Sequence, residues 1–279
     1  MSFFATPPLK WVGSKWQLAD WIASTFPPHR VYVEPFAGSA AVFFRKHPSP
    51  IEVLNDLDGS VINFFRVLRA QPDALIRAIE LTPFARDEYY ESWQYSDDPV
   101  EWARQFYVRS FQSFGSTTTR RSGWRRELSA ARGSQIVRDF MRLDGLADAV
   151  YALKNAYIEN LPAQEVIDDY DAPDALFYVD PPYLLKTRAE GARARYVHEM
   201  QDADHIALAA HLNMLQGMVV LSGYDSPLYR QLYAGWTVLS KTTTTQGNGT
   251  ATEYLWLNPA CTSIDNLPLF RSSESEVQS

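Results

Sequence analysis

The chain predicts an α/β layer fold: a mostly parallel sheet, helices on both faces, and a mostly helical insert. Three observations predict it. Four short runs are almost continuously apolar, namely Val31-Tyr32-Val33, Ile51-Glu52-Val53-Leu54, Leu176-Phe177-Tyr178-Val179 and Met218-Val219-Val220-Leu221, as strands buried on both faces read. Stretches with helical spacing alternate with them, over 15–24, 40–46, 60–68 and 203–215, and that alternation favours a parallel sheet. Between about 61 and 151 the pattern changes to aromatic-rich helical stretches and an Arg-rich segment, with no convincing buried strand. Weaker strand candidates follow at 236–239 and 253–257. The expected organisation is a discontinuous α/β domain over 1–60 and 152–270, an insert over 61–151, and a frayed Ser- and Glu-rich tail over 271–279.

A chain of 279 residues with 46% hydrophobic and 21% charged residues can bury a real core, which excludes wholesale disorder. The single cysteine, Cys261, cannot close an internal disulfide and suits a reducing cytosol. No basic n-region with an apolar core opens the chain, and no apolar run approaches about 18 residues. A soluble, cytoplasmic protein that does not engage a membrane is therefore expected. The net charge of −7 counts against a polyanionic ligand, whose phosphates need Lys and Arg. Residues 101–145, however, hold nine arginines against four acidic residues. A basic patch on an acidic body fits a polyanion site or a solvated helical face, and charge alone leaves both open.

The sharpest chemical signal is Asp180-Pro181-Pro182-Tyr183, directly after the strand candidate 176–179. Ligands bind at the carboxyl ends of strands in open α/β sheets. Consecutive prolines fix φ and remove N–H donors, leaving carbonyls to face a pocket. The Asp180 carboxylate, the Pro181 carbonyl and the Tyr183 ring suit an exocyclic amine on a flat base: two acceptors for its protons and a surface for stacking. A tight Asp-Pro turn with Tyr183 as packing is the bland alternative. Upstream, Glu34-Pro35-Phe36-Ala37-Gly38 follows the first strand. A single glycine lets the backbone approach a ligand but falls short of G-x-G-x-x-G, which disfavours a dinucleotide. At the second strand's tip, Asp56 stands where such folds hold ribose hydroxyls, and Asp58 suits a helix cap. Lys10-Trp11-Val12-Gly13-Ser14-Lys15 reads alone as a glycine turn before a helix.

Taken in order, Lys10-Trp11-x-Gly13-x-Lys15, Glu34-Pro35-Phe36-x-Gly38, Asn55-Asp56 and Asp180-Pro181-Pro182-Tyr183 resemble the Dam-type (D12 class) adenine-N6 DNA methyltransferases. The later Tyr196, Asp204-His205, Leu221 to Asp225 and Glu253 to Asn258 resemble that family's downstream pattern. The resemblance covers roughly 1–65 and 155–258 and implies a Rossmann-like S-adenosylmethionine-dependent methyltransferase sheet. It implies that Trp11, Lys15, Asp56 and Asp180 bind S-adenosylmethionine, in the loop made by Glu34, Pro35, Phe36 and Gly38. Asp180, Pro181, Pro182 and Tyr183 would form the catalytic strand end. The chemistry it implies is direct in-line transfer to N6 of a flipped adenine in double-stranded DNA, releasing S-adenosylhomocysteine, without a metal.

The insert departs from the family's pattern, since no Arg-Asn-Gly motif is found in it. Its candidate DNA-reading surface is Phe111 to Glu127, with Arg120, Arg121, Trp124, Arg125 and Arg126 offered to guanine edges, phosphates or a base step. His198, His205 and His211 tempt a metal reading, but they lack ligand spacing and a zincin glutamate. Amino-methylation of RNA, protein glutamine or cytosine N4 is the nearest alternative, and Asp180 in place of asparagine points to DNA. A binding protein without turnover and a nicotinamide enzyme are further alternatives. A monomeric bacterial or phage-encoded enzyme, solitary or paired in restriction-modification, fits a chain of this kind.

Overall fold

The computed structural model describes residues 6–126, 135–184, 196–244 and 250–263. A short helix, α1 (Ala19–Ala23), leads into the parallel strands β1 (Val31–Glu34) and β2 (Ile51–Asn55). Then come α2 (Gly59–Ala70), α3 (Pro72–Glu80), α4 (Arg86–Glu91), α5 (Pro99–Gln112), α6 (Gln135–Phe140) and α7 (Asp144–Lys154). The chain returns to the sheet with β3 (Ala156–Glu159), α8 (Ala163–Tyr170), β4 (Ala175–Val179), α9 (Asp202–Leu212) and β5 (Met218–Gly223). It ends with α10 (Pro227–Leu232), β6 (Thr237–Thr244) and β7 (Thr250–Leu257). The sheet order is β3-β2-β1-β4-β5-β7-β6. The first five strands are parallel, and β7 runs antiparallel to both β5 and β6.

Strand alternation explains the continuous apolar runs. Tyr32, Leu54, Leu176, Tyr178 and Val220 face one layer, whereas Val33, Val53, Phe177, Val179, Val219 and Leu221 face the other. Each strand therefore buries both sets of side chains. The first layer is closed by Phe64 and Phe65 of α2, Phe106 and Tyr107 of α5, and Leu146 and Leu153 of α7. The second is closed by Val166 and Ile167 of α8, Leu208 and Leu212 of α9, and Tyr229 of α10. Residues 60 and 61 both lie in α2, and 151 and 152 both lie in α7. Helices of the 61–151 span thus share one core with the sheet. Among the described residues, no helix is long and apolar enough to cross a membrane.

Local chemistry sets the helix starts. Asp58 accepts from Ser60 N at 2.9 Å and caps α2, while Asp98 caps α5 ahead of Pro99 at its first turn. The helix expected over 40–46 is a series of turns. Ala40 takes φ of 52°, outside helical backbone, and the Phe43 N–H donates to the Glu34 carboxylate at 2.8 Å. The helix expected over 15–24 shortens to Ala19–Ala23, because Lys15 is drawn away into a buried contact. β3 had no sequence signal: it is four residues long, at the sheet edge, with alternating burial. The tail 271–279 lies outside the described residues.

Asn55, fully buried at the end of β2, ties the strand ends together. Its Nδ2 donates to Pro35 O at 2.9 Å and Leu161 O at 3.0 Å, and its Oδ1 accepts from Leu161 N at 2.9 Å. One side chain therefore joins the segments that follow β1, β2 and β3. Asn55→Ala is expected to lower unfolding free energy by about 3 kcal/mol, since it orphans buried carbonyls and an N–H. Urea denaturation checks this; an unchanged midpoint would mean that water replaces the amide.

Candidate active site

Strand order reverses between β1 and β4, and the crevice outside the carboxyl ends of such strands is where ligands bind. A cavity of about 560 Å³ opens there. Trp11 and Lys15 wall it from the N-terminal turn, Glu34, Phe36 and Gly38 from the segment after β1, and Asp56 and Asp180 from the tips of β2 and β4. Pro182 also lines it. Of the expected cofactor residues, Pro35 stays behind the wall, its carbonyl engaged by Asn55.

Lys15 is buried, and its Nζ lies 3.0 and 2.9 Å from the two Asp180 carboxylate oxygens. It also donates to Gly13 O at 3.1 Å and stands 4.7 Å from the Tyr183 ring centroid. Burial alone would lower the ammonium's pKa, but Asp180, Glu253 and Tyr196 outweigh it and hold Lys15 protonated. Asp180 is shifted upward, mainly by burial and by Glu253, against the pull of Lys15. Trp11 packs over Gly38: a Cβ there would meet the indole Nε1 at 2.7 Å, and φ of +49° also favours glycine. This close approach lets the Gly38 N–H donate to Asp56 Oδ2 at 2.8 Å, while Asp58 N donates to Oδ1 at 2.9 Å. Burial raises Asp56 to about 6 despite these two donors.

Glu34 is more strongly perturbed. Its Oε1 accepts from Tyr32 Oη at 2.6 Å and from Phe43 N at 2.8 Å, yet burial pushes its pKa up to about 8. Pro181 is buried. Tyr183 lies just beyond the cavity wall, edge-on to Tyr224 with centroids 4.9 Å apart. Its hydroxyl donates to Glu253, which also accepts from Ser222 Oγ at 2.6 Å. Ser222 and Glu253 belong to this site, although the sequence motifs assign them no role. A cavity rich in carboxylates, with aromatic walls and two glycine turns at Gly13 and Gly38, suits a ligand carrying an amine, a diol and a flat ring.

The Arg-rich segment sorts into two groups. Arg104 pairs with Glu101 and Glu88. Arg109 is buried against Trp93 and Phe106, and burial lowers its pKa to about 10. Both are structural. Arg120, Arg121 and Arg126 are exposed and Arg125 half-exposed, on a loop closed by Phe114 N to Gly123 O at 2.8 Å and Arg125 N to Gln112 O at 2.7 Å. Trp124, also expected to face DNA, is half-buried. It packs 5.7 Å from Phe84 and donates from Nε1 to Gln112 at 3.1 Å, anchoring the loop. Phe114, 70% exposed before Gly115 and Ser116 in left-handed backbone, is the aromatic that faces outward.

The three histidines lead to different places. His198 is exposed near the cavity, His205 is buried against Tyr229, and His211 lies 3.0 Å from Asp168. Cys261 is buried, donates to Val219 O at 3.2 Å and is pushed up to about 12 by burial, so its thiol is inert.

Sheet and crevice together are those of a Rossmann-like methyltransferase. Residues 11–246 match the family model of the D12 class N6 adenine-specific DNA methyltransferases, and the chain belongs to that family. Named relatives agree. The chain is 26% identical over 242 residues to a DNA adenine methylase of Haemophilus influenzae, covering 82% of this chain and 83% of that protein. It is 27% identical over 267 residues to the Type II methyltransferase M1.LlaDCHI of Lactococcus lactis subsp. cremoris (87% and 89% covered). It is 21% identical over 261 residues to the Type II methyltransferase M.MjaIII of Methanocaldococcus jannaschii (83% and 89%).

Glu34 makes stability depend on pH. Its folded pKa of about 8 lies above the ordinary 4.5, so the folded state binds the extra proton between those values. Stability therefore falls as pH rises from about 4.5 to about 8. Glu34→Gln, neutral throughout and still an acceptor for Tyr32 and Phe43, is expected to gain in Tm over wild type as pH rises across that window. A difference in Tm that does not change with pH would place the proton elsewhere.

Proposed function

We propose that the protein transfers a methyl group from S-adenosylmethionine to N6 of adenine in double-stranded DNA, in line and without a covalent enzyme intermediate. The observation that carries this reading is the convergence of the Lys15–Asp180 pair and the Asp-Pro-Pro-Tyr strand end on the carboxylate-lined cavity. When bound, S-adenosylmethionine supplies an electrophilic methyl group on a sulfonium and leaves as S-adenosylhomocysteine. Trp11 and Phe36 offer apolar walls to it, and Asp56 offers acceptors for ribose hydroxyls. The donor set fits because its carboxylates complement a cationic, hydroxyl-bearing ligand.

At the strand end, Lys15 orients the Asp180 carboxylate from both oxygens. Asp180 and the Pro181 carbonyl accept the two protons of the target amine, which turns its lone pair toward the methyl group. Tyr183 stacks on the base, and Pro182 stiffens the turn. An adenine inside a duplex cannot reach this strand end, so the base is flipped out. Residues 61–151 carry target recognition: Arg120, Arg121, Arg125 and Arg126 contact DNA, Trp124 holds their loop, and Phe114 is the aromatic offered to a base step. A monomer acting on DNA in a bacterial or phage-infected cytoplasm is the setting this reading implies.

Methyl transfer from labelled S-adenosylmethionine to unmethylated plasmid, followed by nucleoside analysis, tests the reading. Label in N6-methyladenine supports it, and label in another acceptor overturns it. Asp180→Ala is expected to reduce transfer by about 10²–10³-fold in protein whose melting curve shows a folded chain; full activity would remove the strand end from the chemistry. Replacing Arg120, Arg121, Arg125 and Arg126 with Ala should flatten log Kd against log salt by up to about 3–4 in slope. An unchanged slope would move the DNA face elsewhere.

A further inference from the structure

Glu253 on β7 is buried, at 8% exposure, and the chemistry above does not use it. Burying a carboxylate costs several kcal/mol unless charges or donors compensate. Its neighbours here come from three segments. Ser222 of β5 donates from Oγ at 2.6 Å, and the Tyr183 hydroxyl donates to the same oxygen. Lys15 adds electrostatic attraction. The Tyr183 and Ser222 hydroxyls lie 2.9 Å apart, and each reaches Glu253, while the Tyr183 hydroxyl also stands within hydrogen-bond reach of Asp180. Burial and the surrounding negative charge keep Tyr183 protonated, so the phenol is the donor and the carboxylate the acceptor.

The Tyr183 ring is therefore held in three ways. Its hydroxyl is tied to Glu253, one face meets the Lys15 ammonium at 4.7 Å, and its ring stands edge-on to Tyr224. A stacking platform used only for packing has no need of a buried carboxylate at its distal end. A charge-assisted O–H···O bond is shorter and stronger than a neutral one, and it shifts electron density from the polarised O–H into the ring. A richer π face attracts positive charge more strongly, and the amine nitrogen becomes positive as it takes the methyl group.

We propose that Glu253, supported by Ser222, is a positioning residue that orients and polarises Tyr183 through its hydroxyl, and so favours the transition state over ground-state binding. This rests on the methyltransferase reading of the same site. It gives Glu253 a role different from that of Asp180: Asp180 meets the target amine, whereas Glu253 reaches the base through the Tyr183 side chain, beside its field on Lys15 and Asp180. Glu253→Gln keeps the side chain's size and an acceptor for both hydroxyls but removes the charge. Tyr183→Phe removes the donor and keeps the ring.

The test is a double-mutant cycle on the single-turnover methyl-transfer rate at saturating S-adenosylmethionine and duplex DNA. Glu253→Gln is expected to slow transfer about tenfold, with cofactor and DNA affinities unchanged. In the Tyr183→Phe background the same substitution should have no further effect. Multiplying effects, or a loss of cofactor affinity in place of rate, would overturn the proposal. A second measurement does not need turnover. In protein labelled with [¹³Cζ]tyrosine, the Tyr183 signal is assigned by its loss in Tyr183→Phe. It should move upfield in Glu253→Gln as the phenol loses its charged acceptor, and an unmoved signal overturns the tether. Should wild type methylate no adenine, the functional reading fails by itself while the resonance still decides whether Glu253 polarises Tyr183.

Discussion

The part-buried pair of Lys15 and Asp180 joins parts of the chain 165 residues apart, and the geometry of the site follows from it. Taking an ammonium and a carboxylate out of water is expensive. The cost is offset because both carboxylate oxygens and the Gly13 carbonyl lie within about 3 Å of Nζ. The pair draws the 11–15 turn onto the end of β4 and so closes one wall of the cavity. Trp11 is then placed over Gly38, and the Tyr183 ring is set beside the ammonium. Without that closure the ends of β1 and β4 would border an open groove.

Acids shielded from water gather at this crevice, and the fold treats each differently. Glu34 takes a proton, with its pKa at about 8. Asp56 is held by two backbone N–H groups and still rises to about 6. Asp180 has Lys15, and Glu253 has two hydroxyls. Carboxylates concentrated in a low-dielectric crevice favour a ligand that brings positive charge and hydrogen-bond donors. The same crowding is unfavourable to the folded chain by itself, which is the usual relation between a functional site and stability.

The insert shows how little overall charge says about a local surface. The chain is acidic as a whole, with a net charge of −7, and two arginines of its basic segment are spent on structure. Four others, Arg120, Arg121, Arg125 and Arg126, sit on one short loop closed by two backbone hydrogen bonds and anchored by Trp124, and Arg138 and Arg142 are exposed beyond it. α2, α5 and α7 meanwhile cover the sheet, so the Arg-rich loop is built on the same core as the crevice.

Much of this was legible in the chain because strands buried on both faces need continuous apolar runs, and β1, β2, β4 and β5 have them. β3 was not, since an edge strand of four residues needs only alternate burial. The 40–46 stretch has helical spacing because its apolar residues are buried, yet the Glu34 carboxylate captures an N–H there and the backbone turns. The packing of Trp124 on Phe84 was not legible either, because a tryptophan among arginines carries no sign of the partner it will meet. The order of motifs, the family and the residues at strand tips belong to the sequence itself, because chemistry at a strand end depends on a few contiguous side chains. Which groups meet was decided by the tertiary structure alone. Lys15 reaches Asp180, and Glu253 reaches Tyr183, because strand order brings distant segments to one crevice, where low dielectric makes each pairing strong.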